Sequence, residues 1–122
     1  MTSPAKVLCD AHASGNDWMM YNGDCVEVVA QLPDRSVDLT VYSPPFSDLF
    51  VYSESARDMG NCVNDEGFAE HYGYLLPELF RVTRPGRMSC VHVSDLPSRK
   101  SREGHIGIRD FSGAVIRAHE DA

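Results

Sequence analysis

With 122 residues, 43% of them hydrophobic and 24% charged, and a formal net charge of −7, the chain has the composition of one globular domain with a modest core. No apolar run approaches the ~20 residues that cross a bilayer, and Met1-Thr2-Ser3-Pro4-Ala5-Lys6 lacks a secretion-signal core, so a cytoplasmic location without membrane contact is expected. Cys9, Cys25, Cys62 and Cys90 form no Cys-x-x-Cys pair, which excludes a zinc ribbon or a disulfide framework; Cys90 and His92 would share a strand face, but nothing at suitable spacing completes a metal site.

Residues 1–17 show no periodicity and read as an irregular lead-in, leaving 18–122 as the structured domain. Trp18-Met19-Met20-Tyr21 predicts a short buried strand, ended by the turn dipeptide Asn22-Gly23. Asp24 is placed to cap a helix over about 24–31, with Glu27 at the capping-box position and Val26, Val29 and Ala30 on one face. Leu32-Pro33 closes it, and Asp34-Arg35-Ser36 turns the chain into the next strand.

That strand, 37–42, alternates Val37, Leu39 and Val41 with Asp38, Thr40 and Tyr42, then stops in Ser43-Pro44-Pro45-Phe46. The two prolines fix φ and offer no N–H to a ladder, so their carbonyls are free to face something other than a strand. A hydroxyl, two stiff carbonyls and an aromatic ring therefore stand at a carboxyl strand end, where open α/β sheets bind ligands. The polar stretch 47–64, with Phe50 and Tyr52 embedded, is long for a connection inside a compact domain, and it is either a functional flap or a surface loop.

From Asp65 the apolar residues Phe68, Tyr72, Leu75, Leu76, Leu79 and Val82 recur at helical spacing over 66–82, with Pro77 expected to kink or split the helix near Leu76. A strand follows at about 87–93, placing Ser94 and Asp95 at another carboxyl end. Residues 98–109 read as a basic loop, and a last helix spans about 110–120, capped by Asp110. Charge is uneven along this order: residues 1–78 carry 3 Lys/Arg and 13 Asp/Glu, residues 79–122 carry 8 and 5. Arg81, Arg84, Arg87, Arg99, Lys100, Arg102 and Arg109 offer either a phosphate-facing edge or an ordinary solvated surface.

Ser-Pro-Pro-Phe resembles motif IV of the DNA methyltransferases that modify exocyclic amino groups, whose signature is (Asp/Asn/Ser)-Pro-Pro-(Tyr/Phe). The longer unit is similar to the β-class members: a strand, Gly23-Asp24, a short helix, Leu32-Pro33-Asp34, the strand to Ser43, then Leu76-Pro77-Glu78-Leu79-Phe80-Arg81-Val82 and Pro85-Gly86 before a further strand. The resemblance implies an α/β chain with part of the Rossmann-like, S-adenosylmethionine-dependent methyltransferase fold: three layers, a mainly parallel sheet, and Asp24, Ser43 and Asp95 at one sheet edge.

It further implies a catalytic set of Ser43, Pro44, Pro45 and Phe46, and a cofactor-binding set of Asp24, Cys25 and Ser43. Double-stranded DNA with a flipped target base would be the partner, met by Phe50 and Tyr52 and by Arg99, Lys100 and Arg102. Such chemistry suits these residue types. An exocyclic amino nitrogen is a poor nucleophile until acceptors such as Ser43 Oγ and the Pro44 carbonyl draw on its N–H groups, and an aromatic ring can stack on a base taken out of the duplex. Ser in place of Asp leans the expected target towards cytosine N4 over adenine N6.

The family's Phe-x-Gly-x-Gly motif is not matched, since Gly104 and Gly107 lack the preceding strand and the spacing. The chain is accordingly expected to be an N-terminal catalytic portion, inactive on its own, with uncovered sheet surface that favours self-association. A non-catalytic α/β interaction domain, completed by a partner, stays open as the second class.

Overall fold

The computed structural model describes residues 6–47, 54, 56–61 and 65–122. The chain opens with an antiparallel hairpin, β1 (Ala11–Ser14) and β2 (Met19–Asn22), in which Ala11 faces Asn22 and Ser14 faces Met19. The segment 11–14 had been expected to be irregular. Its pairing uses backbone groups alone, so the small side chains give no periodicity from which to read it. The turn is closed by the Gly15 N–H bonded to the Trp18 carbonyl at 2.9 Å. A Cβ on Gly15 would fall 2.3 Å from the Trp18 indole nitrogen, so the glycine is what admits the ring. Trp18, Met19 and Met20 are exposed, not buried as their run of apolar residues predicts.

Helix α1 (Cys25–Ala30) starts at the Asp24 cap, whose Oδ1 accepts from the N–H of Val26 at 2.9 Å and of Glu27 at 3.4 Å. Arg81 holds its other end. The guanidinium donates to the carbonyls of Val29 at 3.1 Å, Ala30 at 3.2 Å and Leu32 at 2.8 Å, meeting acceptors that the final turn leaves without helical partners.

Strand β3 (Val37–Tyr42) pairs in parallel with β4 (Thr83–Val91), with Leu39 opposite Met88, Val41 opposite Cys90 and Tyr42 opposite Val91. Alternation then gives the two faces different fates. Tyr42 and Val91 pack on a core of Phe68, Tyr72, Leu75 and Leu76 from α2 (Asp65–Val82), Leu96, and Phe111 and Val115 from the last helix. Leu39, Val41 and Met88, on the opposite face, are 52%, 73% and 69% exposed. A parallel pair is ordinarily covered on both sides. Each large side chain that is buried in the core stabilises the fold by about 1.5–3 kcal/mol, which concentrates the stability on the α2 side.

Helix α2 is not split at Pro77. The hydrogen bond that Pro77 forgoes would have gone to the carbonyl of Gly73, an exposed residue with open space around it, where water can take the donor's place. Packing of Tyr72, Leu75 and Leu76 keeps the other face in register.

The expected loop 98–109 is mostly regular. Strand β5 (Leu96–Ser98) and strand β6 (Gly107–Arg109) form an antiparallel pair around the short helix α3 (Lys100–Glu103), which ends at Gly104 with φ of 80°. Helix α4 (Phe111–Asp121) follows, capped by Asp110. The mainly parallel sheet is therefore three two-stranded ladders among the described residues, of which β3–β4 is the parallel one.

Candidate active site

Two turns converge on one cleft of about 530 Å³, lined by Asn22, Gly23, Asp24 and Cys25 from the β2–α1 junction and by Pro45 from the end of β3. The β2–α1 junction and the end of β3, separated in sequence by a helix and a strand, thus share a wall. Asp24 presents Oδ2 to Arg57, whose Nε lies 2.8 Å away, while another guanidinium nitrogen of Arg57 pairs with Glu27. Glu27, expected to return to the Asp24 backbone as a capping box, is drawn to Arg57 instead. The two carboxylates, Glu27 first, hold the Arg57 guanidinium more firmly in its charged form. Burial, and then the Asp24 charge, push the Cys25 thiol up, so it is protonated at neutral pH.

Ser43 is exposed and does not line this cleft; its hydroxyl bonds to the residue after β4. Oγ lies 3.0 Å from the backbone carbonyl of His92, to which it donates, and 3.2 Å from His92 Nδ1. The strand register causes this: Tyr42 pairs with Val91 and the His92 N–H bonds to the Tyr42 carbonyl at 2.9 Å, so the residues that follow the pair, Ser43 and His92, meet. Pro44 is buried, and no hydrogen bond reaches its carbonyl among the described residues. The Pro45 carbonyl is not free, since the Ser47 N–H donates to it at 3.0 Å. Half-buried Phe46 has its ring centroid 5.9 Å from that of His92 and 6.0 Å from that of Phe111.

Asp95 lies outside this constellation. Its Oδ1 accepts from the Ser112 N–H at 3.0 Å and from the Ser112 hydroxyl at 2.5 Å, which fixes the start of α4 and holds the carboxyl below its usual range. Behind the site, Tyr42 OH meets Tyr72 OH at 2.6 Å and His119 Nε2 at 3.1 Å.

No family model matches the chain. In sequence it is 36% identical over 67 residues to the Type II methyltransferase M.BamHI of Bacillus amyloliquefaciens, a match covering 55% of this chain and 15% of that protein. It is 27% identical over 82 residues to the Type II methyltransferase M.SfiI of Streptomyces fimbriatus, covering 67% of this chain and 19% of the relative. In structure it aligns with a candidate DNA modification methylase of Thermus thermophilus solved with S-adenosyl-L-methionine: TM-score 0.61, 25% identity, 81% of this chain and 37% of that one. A second structure of that methylase gives TM-score 0.59 at 22% identity, again over 81% of this chain and 37% of that one. The chain is thus similar to methyltransferases in sequence and to part of a DNA modification methylase in fold. It spans under a fifth of the two curated relatives' lengths.

Set against that methyltransferase likeness, the sequence-predicted residues fall into separate groups. Asp24, Cys25 and Pro45 meet in the cleft, and Ser43 and Phe46 meet at His92. Phe50 and Tyr52 lie outside the described residues, as does the Arg102 side chain. Arg99 and Lys100 are exposed where α3 begins. Of the other basic residues, Arg81 serves α1 and α2, also bonding Asp34 at 2.6 Å and Glu78 at 2.7 Å; Arg84 and Arg87 both turn to Asp38, at 3.1 and 3.4 Å. Arg81 is committed inside the fold, whereas Arg84 and Arg87 pair with Asp38 at the surface. Arg57 and the tyrosine pair had no signal in the sequence, because their partners are 30 or more residues away. His92 was legible only as a strand neighbour of Cys90. Among the described residues there is no group of three His, Cys, Asp or Glu that could hold a metal, and no helix long and apolar enough to cross a membrane.

Proposed function

We propose that the chain is the catalytic portion of a DNA methyltransferase that moves a methyl group from S-adenosylmethionine to an exocyclic amino nitrogen of a flipped base in double-stranded DNA. The observation that carries this reading is the cleft shared by Gly23, Asp24, Cys25 and Pro45, with Ser43 two residues from its wall. Its volume of about 530 Å³ lies within the roughly 300–1,000 Å³ usual for small-molecule sites.

The donor set suits the methyl donor. Asp24 spends one lone pair of Oδ2 on Arg57 and uses Oδ1 to cap α1, yet a carboxylate has about four acceptor sites, so capacity remains for an amino or hydroxyl group. When bound, S-adenosylmethionine supplies an electrophilic methyl on a sulfonium. Ser43 Oγ and the Pro44 carbonyl accept the two N–H groups of the target and stabilise the positive charge that develops on its nitrogen. Phe46 offers the exposed part of its ring for stacking. Arg99, Lys100 and Arg102 meet phosphate, with Phe50 and Tyr52 beside the extruded base. A neutral Ser43 in place of a carboxylate leans the target towards cytosine N4 over adenine N6.

A second reading is a non-catalytic α/β interaction domain that a partner chain completes. The bare apolar face of β3–β4 favours it. Titrating S-adenosylmethionine into labelled protein separates the two. Amide shifts confined to Gly23, Asp24, Cys25 and the neighbours of Pro45 support the methyltransferase, and no saturable shift supports the interaction domain.

A further inference from the structure

We propose that His92 is a positioning residue that commits Ser43 to act as a hydrogen-bond acceptor, and so selects an amino group as the target. This rests on the catalytic role proposed for Ser43. A serine hydroxyl has one proton to donate and two lone pairs. Here the proton is used within the protein, on the His92 carbonyl at 3.0 Å or on Nδ1 at 3.2 Å. In the tautomer with a proton on Nδ1, that N–H donates to Oγ while the hydroxyl donates to the carbonyl, and one lone pair is left. In the other tautomer Nδ1 accepts, or stands by, and both lone pairs are left. Either way Ser43 meets an incoming base with acceptors only. It can bind the N–H of an amino group, and it has no proton for a ring carbonyl at the same position.

The same imidazole touches Phe46, with ring centroids 5.9 Å apart and planes tilted by 41°. One side chain therefore braces both the hydroxyl that would hold the amino group and the ring that would stack on its base. The register of the parallel pair locks it there through the His92 N–H to the Tyr42 carbonyl.

Ring-nitrogen NMR on the 122-residue chain reads the contact without requiring activity. Ser43→Ala should move the His92 Nδ1 resonance, identified by its loss in His92→Asn, and leave His12, His71, His105 and His119 in place; Ser43→Thr, which keeps the hydroxyl, should restore it. An unchanged His92 resonance in Ser43→Ala overturns the proposal. In methyl transfer to duplex DNA by the full-length parent, His92→Phe keeps a ring against Phe46 and the backbone carbonyl that takes the Ser43 proton, but removes the Nδ1 contact that orients Oγ, so kcat should fall about tenfold or more with KM for DNA little changed. His92→Asn returns a polar nitrogen near the Nδ1 position and should recover most of the rate. If wild type transfers methyl groups and His92→Phe is equally fast, the proposal fails and the reading of function stands. If the NMR coupling is seen but wild type transfers none, the reading of function fails, and with it the selection of an amino target, leaving the contact alone established.

Discussion

The hydroxyls of Tyr42 and Tyr72 meet at 2.6 Å, joining the buried face of β3 to the middle of α2. Tyr72 is 0% exposed, and its phenol is pushed well up, by burial first and then by Tyr42. Tyr42 is pushed up as well, again by burial. Removing the hydroxyl in Tyr72→Phe should cost about 0.5–1.5 kcal/mol in denaturant unfolding, the usual worth of one hydrogen bond. Tyr72→Ala should cost about 3–5 kcal/mol, as removal of a buried aromatic ring does. The sign of the pH effect follows from the raised values. The unfolded chain loses its phenolic protons near the ordinary tyrosine range while the folded chain keeps them, so stability is full below about pH 10 and declines above it. Tyr72→Phe should flatten that alkaline decline.

Cys25 offers a test of the electrostatics in the cleft. Its raised thiol should react with iodoacetamide at about pH 8 more slowly than a free cysteine does, because the thiolate is the nucleophile. Asp24→Asn keeps a residue able to cap α1 and removes the neighbouring charge, the second cause of the shift. The rate at Cys25 should then rise, by a few-fold, while the helix content by circular dichroism stays the same. An unchanged alkylation rate would show that burial alone sets the thiol.

The exposed side of β3–β4 should drive association. Val41 is 73% exposed and lies beside Met88, itself 69% exposed, on a parallel ladder with open edges among the described residues. Sedimentation of the wild-type chain should show concentration-dependent oligomers, and Val41→Lys should shift them towards monomer. A wild-type chain that stays monomeric at high concentration would contradict this expectation.

Much of the frame was legible because local chemistry announced it. Asp24 and Asp110 cap helices, the repeat from Phe68 to Val82 marks α2, and the β-branched alternation into Ser43-Pro44 marks β3 and its end. What stayed hidden depends on pairing over distance. The strands β1, β5 and β6 carry no alternating apolar pattern, and Pro77 misled because its effect depended on Gly73 facing open space. In the site, Asp24 and the Ser-Pro-Pro-Phe end could be read, whereas the turn of Ser43 towards His92 comes from the β3–β4 register, which no local motif encodes. Arg81 had the same problem: as an arginine in a basic stretch it suggests phosphate, and only the fold shows it bonded to the α1 carbonyls.

Methyl transfer measures directly whether Ser43 acts upon an exocyclic amino group. Duplex DNA is incubated with the full-length parent of this chain and S-adenosylmethionine labelled in its methyl group, and the DNA is digested to nucleosides. Label in N4-methylcytosine, lost in Ser43→Ala, is the predicted result; label in N6-methyladenine would keep the reaction and correct the base. Transfer that persists undiminished in Ser43→Ala, or no transfer at all by the wild-type parent, would contradict the account.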